Sequence, residues 1–467
     1  MPSLATTRCS FRFTVPLSRS RPCLPPIGQT RGYVVRPGDT RKTALKTPQI
    51  RNSFKAKHAP ASKKKAFATP PYTPMPTNQL TKSIFKTGER VELELPTFSP
   101  KVMNDDSVGR VLAFPKAKNE AMRAFGVPES ALHDFRILSR PCSVVRDVTI
   151  STFNVLDAAG QKSSRDTRLM MTGPTGCGKS YLLLQTVEYA AHSDWIVLYI
   201  PRGLSLVDSS RDYAYDLRTQ TYLQPEFSAQ LLRRFLSVNE RLTNMLKTRE
   251  QVPLQGRSVP AGSRLTALVK AGVDDVNNAP VVLSVLIDEL SQQSTHPVLL
   301  AVDDMQAMYG YSMYRDPHYR QIMAQHLAIP RMILQYASGK KAFPRGAVIG
   351  AAGTQHTAFK MPLELCEALG LPPPRSTGPY AKRSSDIVDF ARGLQNLPVS
   401  PRMSVSEAAS LFEVWMQDNA LHTGQVRVDD ELRSMPNDEL FMTKYAEADG
   451  NPRAFVRNGL LATQSTI

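Results

Sequence analysis

The sequence predicts an α/β fold in which a parallel sheet is flanked by helices. The first observation is a set of short, largely apolar runs at residues 167–171, 298–302 and 347–352, which are typical of strands covered on both faces. The second is the helical spacing of apolar residues between these runs, at 181–191 and 227–246. Apolar runs that alternate with helical patterns favour a parallel sheet over an antiparallel one.

The composition predicts a globular chain. Its 467 residues are 42% hydrophobic, which suffices for a large core and for two or three domains. The longest apolar stretch, around residues 281–287, is far shorter than the ~18 to 20 residues that cross a bilayer, so no membrane insertion is expected. The five cysteines show no CxxC pair and no paired Cys/His spacing, which argues against a disulfide framework or a zinc site and fits a reducing compartment.

The net charge of +17 is concentrated at the start of the chain. Residues 1–88 hold 17 Lys or Arg and one acid, Asp39, whereas the rest of the chain is nearly neutral. Residues 1–33 contain five arginines, several Ser and Thr and no acid, a composition that predicts a mitochondrial transit peptide with cleavage after Tyr33. A basic tail in a protein of another compartment is the alternative.

A transit peptide does not account for the basic residues that follow it. Residues 34–88 keep 12 Lys or Arg, including the run 63–65, and are rich in Pro and Ala. We predict that residues 34–95 form a disordered cationic arm, which binds RNA through phosphate contacts and loses affinity steeply as salt rises. A solvated linker without a ligand is the alternative.

A glycine-rich loop lies between the predicted strand 167–171 and the predicted helix 181–191. Its pattern GxxxxGK[ST], in this order of elements, is the signature of a phosphate-binding P-loop. Glycines let backbone N–H groups close around phosphates at a helix N-terminus. Lys179 would reach the β- and γ-phosphates, and Ser180 would ligate Mg²⁺. The predicted nucleotide-binding residues of this loop are Gly173, Pro174, Thr175, Gly176, Cys177, Gly178, Lys179 and Ser180.

A P-loop protein needs an acid at the end of a neighbouring strand to support the magnesium. The run 298–302 ends at Asp303, which we predict to support the metal together with Ser180. Asp304 stands where hydrolysing AAA+ proteins carry the glutamate that orients the attacking water, so it is the candidate catalytic residue. Because aspartate is one methylene shorter, we expect slow hydrolysis or none. Alternatively, Asp304 only caps the following turn.

The spacing of these motifs predicts an AAA+-like core with insertions. The 123 residues between Lys179 and Asp303 exceed one strand–helix unit, and one inserted helix is predicted at 227–246. Its apolar stripe is expected to lie in the core rather than against a cofactor. The residues of that stripe are Leu231, Leu232, Phe235, Leu242, Met245 and Leu246.

Polar residues in the last third of the chain complete the predicted site. Thr354 follows the predicted strand 347–352, where an AAA+ protein places its sensor of the γ-phosphate. Ser404 and Glu407 form a capping box that opens a helix extending to about residue 419, the expected start of a small helical lid. Arg453 begins a later helix and is predicted to point at the phosphates. At either position, Thr354 or Arg453, an ordinary surface residue is the alternative.

Several short segments outside the loop form a recognisable series. Each is modest by itself, but their order and spacing are specific: 124–128, 144–149, 194–201, 222–225 and 450–453. Over roughly residues 90–460 the chain resembles the mitochondrial small-ribosomal-subunit proteins of the death-associated protein three family, in its fungal type. The resemblance implies a structural component of the head of the small subunit that binds a guanine nucleotide with Mg²⁺. It departs from the family at Asp304, where a small or amide residue is expected.

The resemblance also implies partners and a location. The partners would be small-subunit rRNA and neighbouring mitoribosomal proteins in the mitochondrial matrix, and no homo-oligomer is expected. The chemistry of the residues does not separate GTP or GDP from ATP. The predicted division is a transit peptide at 1–33, a basic arm at 34–95, a P-loop AAA+-like domain at 96–398 and a C-terminal helical lid at 399–467.

Three hypotheses of function remain open from the sequence. The first is a ribosomal structural protein with a bound purine nucleotide and little or no hydrolysis. The second is an active AAA+ NTPase that remodels protein or nucleic acid in the matrix, which the acid at Asp304 favours. The third is a signalling adaptor that uses the nucleotide as a switch, for which no partner-specific motif is found.

Overall fold

A five-stranded parallel sheet lies at the centre of the fold in the computed structural model. The structure describes residues 93–117, 120–373, 378, 380–418, 420–421, 425–428, 431–434 and 438–461. Of the two compact units, residues 1–64 and residues 65–467, the second contains every described residue. The predicted transit peptide and nearly all of the predicted basic arm lie outside the described residues, so both stay predictions.

Strands and helices alternate along the described chain. The strands are β1 Val111–Ala113, β2 Cys142–Val144, β3 Arg168–Thr172, β4 Ile196–Ile200, β5 Ala214–Asp216, β6 Thr221–Leu223, β7 Val252–Leu254, β8 Arg257–Val259, β9 Val298–Val302, β10 Tyr311–Arg315, β11 Gln321–Met323, β12 Gly346–Ala351, β13 Gln395–Pro398, β14 Gln425–Val428 and β15 Glu431–Ser434.

The described residues form thirteen α-helices. In order they are α1 Ala121–Phe125, α2 Glu129–Ile137, α3 Asp147–Ala159, α4 Lys179–His192, α5 Pro225–Thr243, α6 Leu265–Asp274, α7 Ala279–Gln292, α8 Ala328–Ala337, α9 Leu363–Ala368, α10 Ser385–Ala391, α11 Val405–Gln417, α12 Asp438–Glu447 and α13 Pro452–Ala454, which continues as a π-helical segment Phe455–Leu460. Among the described residues, none of these helices combines the length and the apolar character that a bilayer crossing requires.

The strands of the central sheet stand in the order β13, β3, β12, β9, β4, and every neighbouring pair is parallel. In β12, Ala351 pairs with Met171 of β3, and Gly350 pairs with Val302 of β9. The predicted parallel sheet flanked by helices is therefore confirmed. The carboxyl ends of β3, β12 and β9 meet at one edge, which is where open α/β sheets bind their ligands.

Both faces of the sheet are covered. In β4, Ile196, Leu198 and Ile200 join one core cluster, whereas Val197 and Tyr199 join the opposite one, because successive side chains of a strand point to opposite faces. Helices α5 to α8 contribute to the first cluster and helices α1 to α4 to the second. This double burial explains why β4, β9 and β12 read as continuous apolar runs. The edge strand β13 is largely exposed and does not show such a run.

A third core cluster joins the C-terminal helices to the first strands of the described chain. Trp415 of α11 and Phe455, which follows α13, share this cluster with Val111 of β1 and Cys142 of β2. The region of the predicted lid is helical in α11, α12 and α13, but it also contains the antiparallel pair β14 and β15. The division at residue 399 stays a prediction.

The inserted amphipathic helix, α5, forms close to its predicted place. Its stripe residues Leu231, Leu232, Phe235 and Leu242 are buried, and Leu246 packs against the same cluster from beyond the helix. The prediction for Met245 was wrong, since its side chain is 63% exposed. The reason is that α5 ends at Thr243, so the helical periodicity that placed Met245 on the buried face stops before it.

The predicted capping box at the start of α11 is confirmed. Ser404 Oγ accepts a hydrogen bond from the Glu407 backbone N–H at 3.2 Å, and Glu407 Oε2 accepts one from the Ser404 N–H at 2.9 Å. These bonds satisfy two backbone donors at the helix start. The helix ends at Gln417, two residues before the predicted end.

Candidate nucleotide-binding site

The glycine-rich loop connects β3 to α4 at the carboxyl edge of the sheet. The backbone φ angles of Gly173, Gly176 and Gly178 are 150°, 86° and 100°, values that residues other than glycine rarely adopt. Helix α4 begins immediately afterwards at Lys179. The first N–H groups of a helix lack partners within it, so the loop and the start of α4 together offer backbone donors to an anion.

Lys179 is folded over this loop. Its Nζ donates to the carbonyl oxygens of Gly173 and Pro174, both at 2.8 Å, and its side chain is almost fully buried. A buried ammonium group needs such acceptors or an anion. A phosphate that entered the loop would offer stronger, charged acceptors in place of the two carbonyls.

Ser180 and Asp303 come together although they lie far apart in the sequence. Asp303 directly follows β9 and is buried, and it lines the same cavity as Ser180, whose side chain lies close enough to lower the pKa of Asp303. Its Oδ1 also accepts from the Asp304 N–H at 3.0 Å. Burial, and then the neighbouring Asp304, raises the pKa of Asp303 well above its usual range. A divalent cation at this point would remove that cost by stabilising the carboxylate.

Asp304, the candidate catalytic residue, turns the chain at the end of β9. It adopts a left-handed backbone with φ 54° and begins the short 3₁₀ helix Met305–Tyr309. Burial raises the pKa of Asp304, while His356 and Arg202 act in the opposite direction. A methyl group at Gly353 would overlap the Asp304 carboxylate, so the glycine after β12 leaves room for it. Asp304 thus forms the turn after β9 and also lines the cavity next to the loop.

Thr354, the predicted sensor of the γ-phosphate, contacts the glycine-rich loop. It follows the end of β12, and its hydroxyl accepts a hydrogen bond from the Thr175 hydroxyl at 2.9 Å. In the sheet, β12 lies between β3 and β9. The segment that follows β12 therefore lies between the glycine-rich loop, which follows β3, and Asp303, which follows β9. Its role towards a ligand stays a prediction.

The segment between α12 and α13 closes over the loop. Asn451 Nδ2 donates to the Thr175 carbonyl at 3.0 Å, and the Arg453 N–H donates to the Gly176 carbonyl at 3.2 Å. A Cβ atom on Gly176 would lie 2.5 Å from Asn451 Oδ1 and 2.8 Å from Arg453 Cβ. Arg453 therefore contacts the loop through its backbone N–H, and the prediction that its side chain points at the phosphates stays a prediction. The contact of Asn451 was not predicted.

A cavity of about 620 Å³ lies where these segments meet, a volume within the range of small-molecule sites. Its wall includes eight of the predicted site residues: Gly176, Gly178, Lys179, Ser180, Asp303, Asp304, Thr354 and Arg453. Gly173, Pro174, Thr175 and Cys177 do not line it. Apolar side chains from the C-terminal helices, Leu411, Trp415 and Val456, form another part of the wall.

Cys177 points into the core rather than into the cavity. It is a free thiol, and so are the other described cysteines, Cys142 and Cys366.

Comparison with protein families gives a match to mitochondrial ribosomal death-associated protein 3 over residues 143–458. The chain belongs to this family. The predicted resemblance and the predicted mitochondrial location are thereby confirmed. The match begins within β2 and ends within the last described helix, so it includes every residue predicted for the site.

Small ribosomal subunit proteins from fungi and mammals resemble the chain at low identity. The small ribosomal subunit protein mS29 of Neurospora crassa is 27% identical over 73% of this chain and 74% of its own length. The protein of the same name in Schizosaccharomyces pombe is 24% identical over 75% of this chain and 70% of its own length. The protein of that name in Mus musculus is 23% identical over 56% and 67%.

Arg146 contacts the glycine-rich loop, although the sequence indicated this residue only as part of the segment 144–149. Its Nη1 donates to the Cys177 carbonyl at 2.9 Å, its Nη2 donates to the Arg402 carbonyl at 2.6 Å, and its Nε lies 3.4 Å from Glu407 Oε2. One guanidinium thus connects the glycine-rich loop to the start of α11. Sequence spacing could not show this, because Arg146 and Glu407 are 261 positions apart.

Proposed function

We propose that this protein is a structural constituent of the small subunit of the mitochondrial ribosome and that it holds a guanine nucleotide with Mg²⁺. The ribosomal part is supported by membership of the death-associated protein 3 family over residues 143–458 and by the similarity to small ribosomal subunit proteins mS29 of two fungi. Small-subunit rRNA and neighbouring mitoribosomal proteins would be its partners, with one copy in each particle. The basic residues of the arm at 34–95 fit contacts with RNA phosphates.

The nucleotide part is carried by one observation, the convergence of Lys179, Ser180 and Asp303 at the cavity. The core would then be of the P-loop, AAA+-like type. The N–H groups of the loop and Lys179 would hold the phosphates, and the Ser180 hydroxyl and Asp303 carboxylate would support Mg²⁺. Thr354 and Arg453 stand at the margin of the same cavity, where they would contact the terminal phosphate. The guanine base follows from the family resemblance.

Sedimentation tests the ribosomal part. Mitochondrial extract would be resolved on a sucrose gradient at a magnesium concentration that keeps the subunits intact, and the chain would be detected in each fraction. We expect it to sediment with the small subunit. Sedimentation apart from an intact small subunit would overturn the proposal.

An active NTPase is the second candidate function, and the position of Asp304 favours it. The carboxylate lines the cavity close to Lys179 and Asp303, where a base could orient a water molecule. This function requires phosphate release by the purified protein that Lys179→Ala abolishes and that the exposed control Lys162→Ala retains. Nucleotide that is bound but not turned over would support the structural role instead.

A further inference from the structure

A cluster of two carboxylates and one imidazole lies at the end of α4 remote from the glycine-rich loop. Glu188 and His192 are four residues apart, so they lie on the same face of α4. Glu120, the residue before α1, faces them. One ligand atom from each of these side chains lies within 4.8 Å of the other two.

The distances fit the ligand shell of a small cation. His192 Nε2 lies 3.0 Å from Glu120 Oε2 and 3.8 Å from Glu188 Oε1. Two ligands that bind tetrahedral zinc at about 2.1 Å lie roughly 3.4 Å from each other. Small side-chain movements would therefore bring the three atoms to coordination distance.

Glu188 gives the independent indication that a ligand belongs here. Its side chain is fully buried, and its Oε1 has no hydrogen-bond partner among the described residues. Its other oxygen accepts a hydrogen bond from the Met122 N–H at 3.2 Å, which fixes the orientation of the carboxylate. A buried carboxylate oxygen without a hydrogen-bond partner is costly unless the group takes up a proton or a cation neutralises it.

The charges of the cluster also suit a cation. When both carboxylates are ionised, a protonated His192 supplies only one positive charge. A divalent ion with a neutral imidazole balances both. The set of two oxygens and one nitrogen suits Zn²⁺ better than Mg²⁺, which prefers six oxygen ligands.

We propose that Glu120, Glu188 and His192 bind one Zn²⁺ ion, with water in the fourth position. Solvent reaches the site, since the side chains of His192 and Glu120 are 32% and 17% exposed. The ion would link the residue before α1 to the last turn of α4, and so hold α1 against α4. Cysteine spacing gives no sign of such a site, because none of its ligands is a cysteine.

Zinc binding by the purified full-length chain tests the proposal. The protein would be stripped with a chelator, dialysed against Zn²⁺ at neutral pH without nucleotide, and analysed for metal per chain. Variants Glu188→Gln and His192→Gln each remove one ligand. His318→Gln removes an exposed histidine outside the cluster and serves as the matched control.

We expect one Zn²⁺ per chain in the native protein and in His318→Gln. Affinity should fall at least about 100-fold in His192→Gln, a variant at a partly exposed position that leaves the core packing intact. Zn²⁺ should also raise the unfolding temperature of the native chain but not that of His192→Gln. Equal zinc binding by His192→Gln and the control, or no stoichiometric zinc in the native chain, would show that the cluster is only an ion-paired triad.

Discussion

Asp303 is a residue at which folding and ligand binding make opposite demands. Its carboxylate is buried beside Asp304, and the pKa is raised by burial and by that neighbour. A carboxylate in this position destabilises the protein without its ligand when it ionises. The same ionised group is what a magnesium ion needs. Such opposition is typical of a binding site and would be unusual in a core evolved for stability alone.

Asp303→Asn is therefore expected to stabilise the nucleotide-free protein. Because the folded-state pKa lies above the unfolded value of about 3.9, wild-type stability is fully present below that value and is lost as pH rises towards the folded pKa. The advantage of the variant should thus grow with pH and reach about 1 kcal/mol near neutrality. Denaturant unfolding at a series of pH values measures it. The exposed Asp166→Asn variant is the control, and a variant less stable than wild type at neutral pH would contradict the account.

Gly176 shows how closely the loop and the C-terminal segment approach. The Gly176→Ala variant would meet Asn451 and Arg453 and would also strain a backbone with φ 86°. We expect a loss of about 1 to 3 kcal/mol in stability and a loss of nucleotide affinity. Gly256→Ala, with φ 78° and nothing within 4 Å of the added methyl group, reports the backbone strain alone. Equal effects of both changes on nucleotide affinity in a calorimetric titration would argue against a closed loop.

At the scale of elements, α11 connects the site to the C-terminal region. Its first turn receives the side chain of Arg146, which also bonds to the loop carbonyl of Cys177. The capping box orients Glu407 for this contact, because the same Oε2 accepts from the Ser404 N–H. The start of α11 is thereby tied to the glycine-rich loop.

Removing the cap should weaken this connection. Ser404→Ala leaves the Glu407 N–H without its acceptor and is expected to cost about 1 kcal/mol of stability. The matched control is Ser410→Ala within the same helix, where alanine is a better helix former and no cap is lost. Thermal unfolding of the two variants side by side measures the difference. A Ser404→Ala variant as stable as Ser410→Ala would mean that the cap contributes nothing.

Three neighbouring strands of the sheet, β3, β9 and β12, were predictable from the sequence, whereas the edge strand β13 and the contacts between distant segments were not. The runs at 298–302 and 347–352 are apolar because both faces of the sheet are buried, so the pattern identified β9 and β12 nearly to the residue. Met245 was misplaced because the stripe continued in the sequence beyond the end of the helix. Arg146 and Asn451 escaped prediction, since their partners lie hundreds of positions away and leave no local periodicity.

At the scale of the whole molecule, three regions meet at one cavity. The carboxyl edge of the sheet brings the loop, Asp303 and Thr354, and the segment before α3 brings Arg146. The C-terminal segment brings Arg453 to the cavity, and its Asn451 contacts the loop. The family match over residues 143–458 includes all three. A ligand in this cavity would contact each region and stabilise their arrangement, as any ligand that binds only the folded state does. This arrangement suits a nucleotide that serves as a structural component of the protein.

The nucleotide content of native particles tests this account most directly. Small subunits purified gently from mitochondria would be denatured, and the released nucleotides would be identified and counted by mass spectrometry. We predict one guanine nucleotide for each copy of this chain, present in particles that carry Lys162→Ala and missing from particles that carry Lys179→Ala. Particles without nucleotide, or with an amount that Lys179→Ala leaves unchanged, would contradict the central claim.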